Sequence, residues 1–269
     1  MRSTQPLFLA RLILAPLLTL CACGGPVVAP EALQDLSSYF YARWPDEDPA
    51  ALEAGVTNLF TFAGQVDLDA KPDDRSFVVN PFTRDVVAEL VEHDRDPADT
   101  VGVGILFASA FPPVDHLAHL TLADGTPVEP SSPDRYDRTI IEGDLDCFVA
   151  ETCPVLRTEA QVERKYLSIT VLYTLRKELR WALTEDGERA LLARSWNVDS
   201  ASGGENFWIL QGYSIDLFLP YEQGALRYQV SWQETEIGGL DDEDMTGALS
   251  DGMQGVFDAQ EEWLTEGGG

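Results

Sequence analysis

From Lys165 onward, apolar residues return at every second position through four successive segments, and few backbones other than an extended strand can satisfy that pattern. In YLSITVLYTLRKELRWAL, Leu167, Ile169, Val171, Tyr173, Leu175, Leu179, Trp181 and Leu183 fall on one face, with the charged Lys177 as the exception on it. EDGE, Glu185 to Glu188, is a turn, and Leu192, Arg194, Trp196 and Val198 keep the alternation on the way back. SASGGEN is a looser turn before Phe207, Ile209, Tyr213, Ile215, Leu217 and Leu219. Pro220 to Gly224 turn the chain again, and Leu226, Tyr228, Val230 and Trp232 make the last strand. Four strands joined by short turns predict an antiparallel meander.

The meander is followed by GGL and then DDEDMTGALSDGMQGVFDAQEEWL, which opens with four acids where a helix N-terminus favours negative charge. Met245, Leu249, Met253, Val256, Phe257 and Leu264 share one stripe, so a long amphipathic helix should end the fold at Gly267 to Gly269. Gly247, Gly252 and Gly255 each cost such a helix about 1 kcal/mol. Either close packing on a sheet recompenses them or they are tolerated on an exposed face.

The first half is less regular. Leu33, Leu36 and Phe40, then Leu52 and Val56 behind Pro49, predict two short helices. Phe62, Val66 and Leu68 followed by DAKPDD and SFVV suggest strand, turn, strand, and Asp85 to Glu92 a short helix. VGVGILFAS (101–109) suits a buried strand, and HLAHLTL and RTIIEG are further strand candidates.

Arg2 and Arg11 flank and enter an apolar stretch whose core, Leu12 to Leu20, is too short to span a bilayer, which predicts an export signal over residues 1–22. Leu20, Cys21, Ala22 and Cys23 resemble the lipobox of bacterial lipoproteins. That resemblance implies cleavage before Cys23, acylation of its sulfur and amine, and loss of Cys21 with the signal. Residues 23–30 then form a lipidated tether and 31–269 a single α+β domain. The implied location is the cell envelope, lipid-anchored, on the periplasmic side or surface of the outer membrane, so the expected partner is the membrane itself.

A formal charge of −28, with 46 Asp and Glu against 18 Lys and Arg, repels nucleic acid and anionic headgroups alike. Export places Cys147 and Cys153 where thiols oxidise, and a disulfide between them is expected. CxxC redox spacing is absent. GVG at Gly102 to Gly104 lacks the third glycine of a phosphate loop, and GxSxG, SxxK and HExxH are missing. His116 and His119 are read as surface or capping residues rather than metal ligands. Asp67, Asp69 and Asp73, and Asp94, Asp96 and Asp99, are read as solvating their loops, with Ca²⁺ binding as the alternative. No catalytic residue, metal or cofactor is assigned.

Trp181, Arg194, Trp196, Trp208, Tyr213, Tyr228 and Trp232, with Met253 and Phe257 from the helix, are the candidate ligand-binding residues, because aromatics with a few placed polar groups build apolar pockets. The competing reading makes the aromatics ordinary sheet packing. The junction LRYQVSWQETEIGGLDDEDMTGALSDGMQGVFDAQEEWL is similar to the last strand and covering helix of START-like helix-grip domains, over residues 165–266. That resemblance implies a curved antiparallel sheet gripping the helix; the alternative is a lipocalin-like barrel with a C-terminal helix, though its GxW signature is absent. Three functions stay open: a non-catalytic lipoprotein binding a lipid or other apolar small molecule, a structural or protein-interaction lipoprotein, and a hydrolase.

Overall fold

In the computed structural model, residues 28–44, 49–166, 169–203, 207–237 and 242–268 are described. The expected signal segment, Cys21 and the Cys23 anchor lie outside them, as does Leu167.

Helices α1 (Leu33–Arg43) and α2 (Ala50–Ala63) come first, followed by strands β1 (Ser76–Val78) and β2 (Val101–Ser109). A short helix α3 (His116–Thr121) leads to β3 (Arg135–Glu142), and α4 (Leu145–Val149) to β4 (Leu156–Tyr166). Then come β5 (Ile169–Leu183), β6 (Arg189–Asn197), the two-residue β7 (Ala201–Ser202), β8 (Phe207–Tyr221) and β9 (Gly224–Ile237), and finally α5 (Asp242–Thr265).

All pairings are antiparallel, in the order β1-β2-β9-β8-β6-β5-β4-β3, with β7 beside β8. The sheet is open, with β1 and β3 at its edges, so the barrel alternative does not hold. The four-strand meander is present as β5, β6, β8 and β9. The β8–β9 hairpin turns on Glu222 and Gln223, with Glu222 at φ +52°, as a tight two-residue hairpin demands.

Both faces of this sheet are covered. On one, α1 and α2 press Leu36, Phe40, Tyr41, Leu52, Val56 and Leu59 onto Leu192, Trp196, Tyr213, Ile215, Leu217, Tyr228, Val230 and Trp232, all buried. Phe82 fills the gap, with ring centroids 4.6 Å from Tyr41 and 5.1 Å from both Tyr213 and Trp232. On the other face α5 lies across β2, where Phe257 stacks on Phe107 at 4.3 Å and Met253 joins Val103 and Ile105. A helix gripped by an open antiparallel sheet is the expected α+β architecture.

Several local expectations give way. HLAHLTL is the helix α3, because burying His116, Leu117, His119 and Leu120 together needs a spacing of three and four, not two. Thr61 to Leu68 is no strand: α2 continues to Ala63, which with Leu59 keeps the helical i, i+4 contact, and turns follow. Asp85 to Glu92 contains only a 3-10 turn, Arg84–Val86. The charged run LRTEAQVERKY, passed over in the sequence, is the full strand β4, paired residue for residue with β5. Gly247, Gly252 and Gly255 do not press on the sheet, since an added Cβ at each would meet nothing within 4 Å.

Candidate functional site

The period-two pattern puts every second residue of β5, β6, β8 and β9 on the face opposite α1 and α2. There the residues are unlike those of the packed face: Lys177, Ser195, Asn197, Ser214, Asp216, Arg227, Gln229, Ser231 and Gln233. A β-bulge between Ile209 and Gln211 moves Ile209 onto this face while leaving Tyr213 on the other. Between these strands and α5 lies a cavity of about 230 Å³.

Its α5 wall is apolar, formed by Met245, Ala248, Leu249, Met253 and Val256, with Gly252 leaving open space where a side chain would stand. Tyr136, Tyr173, Leu175 and Ile209 supply further apolar surface from the sheet. Along β9 the lining runs from Arg227 to Thr235, roughly 26 Å at the usual rise per strand residue. The lining also reaches across the sheet from β9 to Tyr136 on β3, so the channel runs between α5 and several strands.

One end of the channel is charged. Arg227, 1% exposed, donates from Nη2 and Nε to Asp216 Oδ1 at 2.9 and 3.2 Å and from Nη1 to Gln260 Oε1 at 2.6 Å. Its guanidinium also lies over the Phe218 ring at 5.1 Å. Lys177 is 8% exposed, and Asp216 Oδ2 is 3.9 Å from its Nζ. Burial holds the Lys177 ammonium below its ordinary range; Asp216 and Glu129 work against that, Arg138 and Arg227 with it. Glu129 and Arg164 face the cavity as well. Further along, Ser195 and Ser214 share a hydrogen bond of 2.6 Å, and the Gln229 amide oxygen has no partner among the described residues.

Of the residues singled out in the sequence, Tyr213 and Met253 line the cavity, though the Tyr213 ring packs on the other face against Tyr41 and Phe82. Trp196, Tyr228 and Trp232 belong to the packed face, Tyr228 bonded to Ser37 and Trp232 Nε1 donating to Asn80 O at 3.1 Å. Arg194 is there too, held to Glu178 at 2.6 Å with its guanidinium over Tyr41, Trp44 and Trp196. Trp181 stacks on Phe148 of α4 and donates to its carbonyl at 3.0 Å, Phe257 stacks on Phe107, and Trp208 sits beside β7 half-exposed. The cavity's polar lining was missed because polar residues alternating with apolar ones look solvent-facing. Lys177, alone among apolar neighbours on its face, was the signal that could have found it.

Cys147 and Cys153 form the expected disulfide, closing a small loop around the end of α4. The histidines are not at the surface: His116 and His119 are each 1% exposed. Ser109 Oγ donates to Glu261 Oε1 at 2.6 Å, so His116 Nε2, 3.1 Å away, donates to Ser109. His119 Nε2 is 3.0 Å from His116 Nδ1, and His119 Nδ1 has no partner among the described residues. Burial and then Arg227 push His116 down to about 3. Among the described residues no three His, Cys, Asp or Glu side chains converge as a metal site, and no helix is long and apolar enough to cross a membrane. Asp96 accepts from Ala98 N and Asp67 from Asp69 N, each closing its own turn.

No family model and no curated protein matches the sequence. Among solved structures, a STAR-related lipid transfer protein fragment from Xanthomonas axonopodis is 12% identical, with TM-score 0.43 over 71% of this chain and 92% of that one. The lipid transfer and protein localization domain of human StarD13 is 10% identical, with TM-score 0.35 over 60% and 74%. The Thermus thermophilus protein TTHA0849 is 13% identical, with TM-score 0.39 over 62% and 98%. Likenesses this distant decide nothing about what the cavity holds, and the functional reading rests on its walls.

Proposed function

We propose that this chain is a non-catalytic binding protein of the cell envelope that holds a chain-like apolar small molecule or lipid between α5 and the sheet. One observation carries the reading: a channel walled by Met245, Leu249, Met253 and Val256 on one side and the sheet on the other. Methionines suit such a wall because their unbranched side chains adapt to ligands of differing shape. The charged groups at its end, Asp216 and Arg227, are engaged with each other, which favours holding a ligand over transforming one.

Lipid-transfer neighbours are compatible with this reading without adding weight to it. The Leu20-Cys21-Ala22-Cys23 run supports export and anchoring through Cys23, with the folded body facing the periplasm or the cell exterior at the outer membrane.

Binding is tested by calorimetric titration of the full chain with straight-chain acids and alcohols of increasing length. Each methylene entering the channel should strengthen binding by about 0.8 kcal/mol until the space is filled. An affinity independent of chain length would refute the channel as the binding site. Anchoring is tested by fractionation: Cys23→Ala should release the protein from membranes, and Cys21→Ala should leave it bound.

A further inference from the structure

The Lys177 ammonium has carboxylates nearby, Asp216 and Glu129, but no partner within hydrogen-bonding distance among the described residues. It has three N–H donors and is buried among Tyr173, Leu175 and Leu179 on the same face of β5. Among the described residues its ion-pair partner is Asp216, 3.9 Å away and beyond hydrogen-bonding distance. That carboxylate is already committed through its other oxygen to Arg227. A buried charge is costly unless it is paired and hydrogen-bonded, so a cation left in this state is a site awaiting an anion.

Lys177 and Arg227 face the cavity beside Asp216 and Glu129, and Lys177 is the cation of this pair with no partner within hydrogen-bonding distance among the described residues. Arg227 already uses three of its five N–H donors, two on Asp216 and one on Gln260. Lys177 lies at the charged end of the channel, while Met245 and Leu249 line it toward the other end. An extended molecule seated there presents its head to a cation and its tail to methionine and leucine.

We propose that the ligand is a singly charged amphipathic acid whose carboxylate accepts hydrogen bonds from Lys177 and whose apolar tail runs along α5 toward Met245. This rests on the channel being the binding site, and names the class of molecule it selects. Carboxylate binding would complete the coordination of the ammonium, and the nearby Asp216–Arg227 pair would stay intact.

The test uses three probes with one tail and three heads: octanoate, 1-octanol and octylamine, titrated calorimetrically into the full chain at pH 7. Octanoate should bind at least about tenfold tighter than octanol, and octylamine weakest. Lys177→Met should reduce octanoate to the affinity of octanol, while Lys177→Arg should keep most of the preference. Thermal melts of both variants confirm that they fold, and the wild-type head-group order stands as evidence even if one does not.

Equal binding of octanoate and octanol, or a preference that survives Lys177→Met, would overturn the assignment while leaving the channel as the site. Tightest binding of octylamine would overturn it in favour of Asp216 and Glu129. If none of the three binds, and longer acids and alcohols also fail, the channel reading falls and this assignment with it.

Discussion

The two faces of the sheet are built from the same strands, often from adjacent residues, yet one is solid and the other hollow. Leu217 and Phe218, or Tyr228 and Gln229, are neighbours in sequence and belong to opposite worlds. On the α1–α2 side, rings interlock: Tyr41, Phe82, Tyr213 and Trp232 meet one another edge-on or stacked at 4.6 to 6.0 Å. On the α5 side, serines, glutamines and charged residues border a cavity, and the helix meets them through the Arg227–Gln260 hydrogen bond. Stability belongs mainly to the first face, since close packing supplies dispersion and transfer energy together, and selectivity to the second.

Acid should separate the faces most sharply. His116, on the hollow side of the sheet, has a folded pKa of about 3 against an ordinary 6.5. Below pH 6.5 the unfolded chain binds this proton and the folded chain does not. The stability it contributes is therefore complete above 6.5 and lost as pH falls through about 3, a difference of up to about 5 kcal/mol. Denaturant titrations from pH 7 to 3 should show that loss in the wild type and a shallower one in His116→Gln; parallel curves would refute it.

Truncation should rank next. Trp232→Ala on the solid face removes a fully buried ring and should cost about 3–5 kcal/mol with little change in ligand affinity for the protein that remains folded. Met253→Ala on the hollow face should cost only about 2 kcal/mol, because part of its surface already borders open space, and should weaken binding of straight-chain acids. Equal stability losses in urea would erase the distinction between the faces.

The smallest effect is the most diagnostic. Gly252→Ala and Gly247→Ala should each stabilise α5 by up to about 1 kcal/mol, as neither new methyl meets a neighbour. Gly252 borders the channel and Gly247 does not, so the first substitution alone should reduce ligand affinity. Thermal melts paired with titrations of the two variants read both quantities.

What could be seen in the sequence follows from what periodicity can encode. The strands β5, β6, β8 and β9 and the helix α5 announced themselves because apolar residues recur along them at two and at three to four. The run LRTEAQVERKY did not, since its buried stripe, Leu156, Thr158, Ala160 and Val162, is small and partly polar and is interleaved with charges such as Arg157 and Glu159, which pair with Glu178 and Arg176 across the strands. Alternation also cannot say what covers each face. Trp196, Tyr228 and Trp232 are candidate ligand-binding residues by sequence, and in the structure they pack against helices 100 residues or more away in sequence. Ser195, Asp216 and Gln229, the polar positions between those apolar ones, line the cavity.

The Gly102-Val103-Gly104 run, too poor in glycine for a phosphate loop, has a different reason to exist. A Cβ on Gly102 would sit 2.6 Å from the Trp232 ring, and one on Gly104 would sit 2.7 Å from Phe77. Gly102 and Trp232 are also directly paired across β2 and β9. A larger residue at 102 therefore needs room from both Trp232 and Val79, which lie within 3 Å of where its Cβ would stand. Substitutions at this corner should be tolerated only in concert, 102 together with 232 and 79, so the corner evolves as a block set by packing rather than by any ligand.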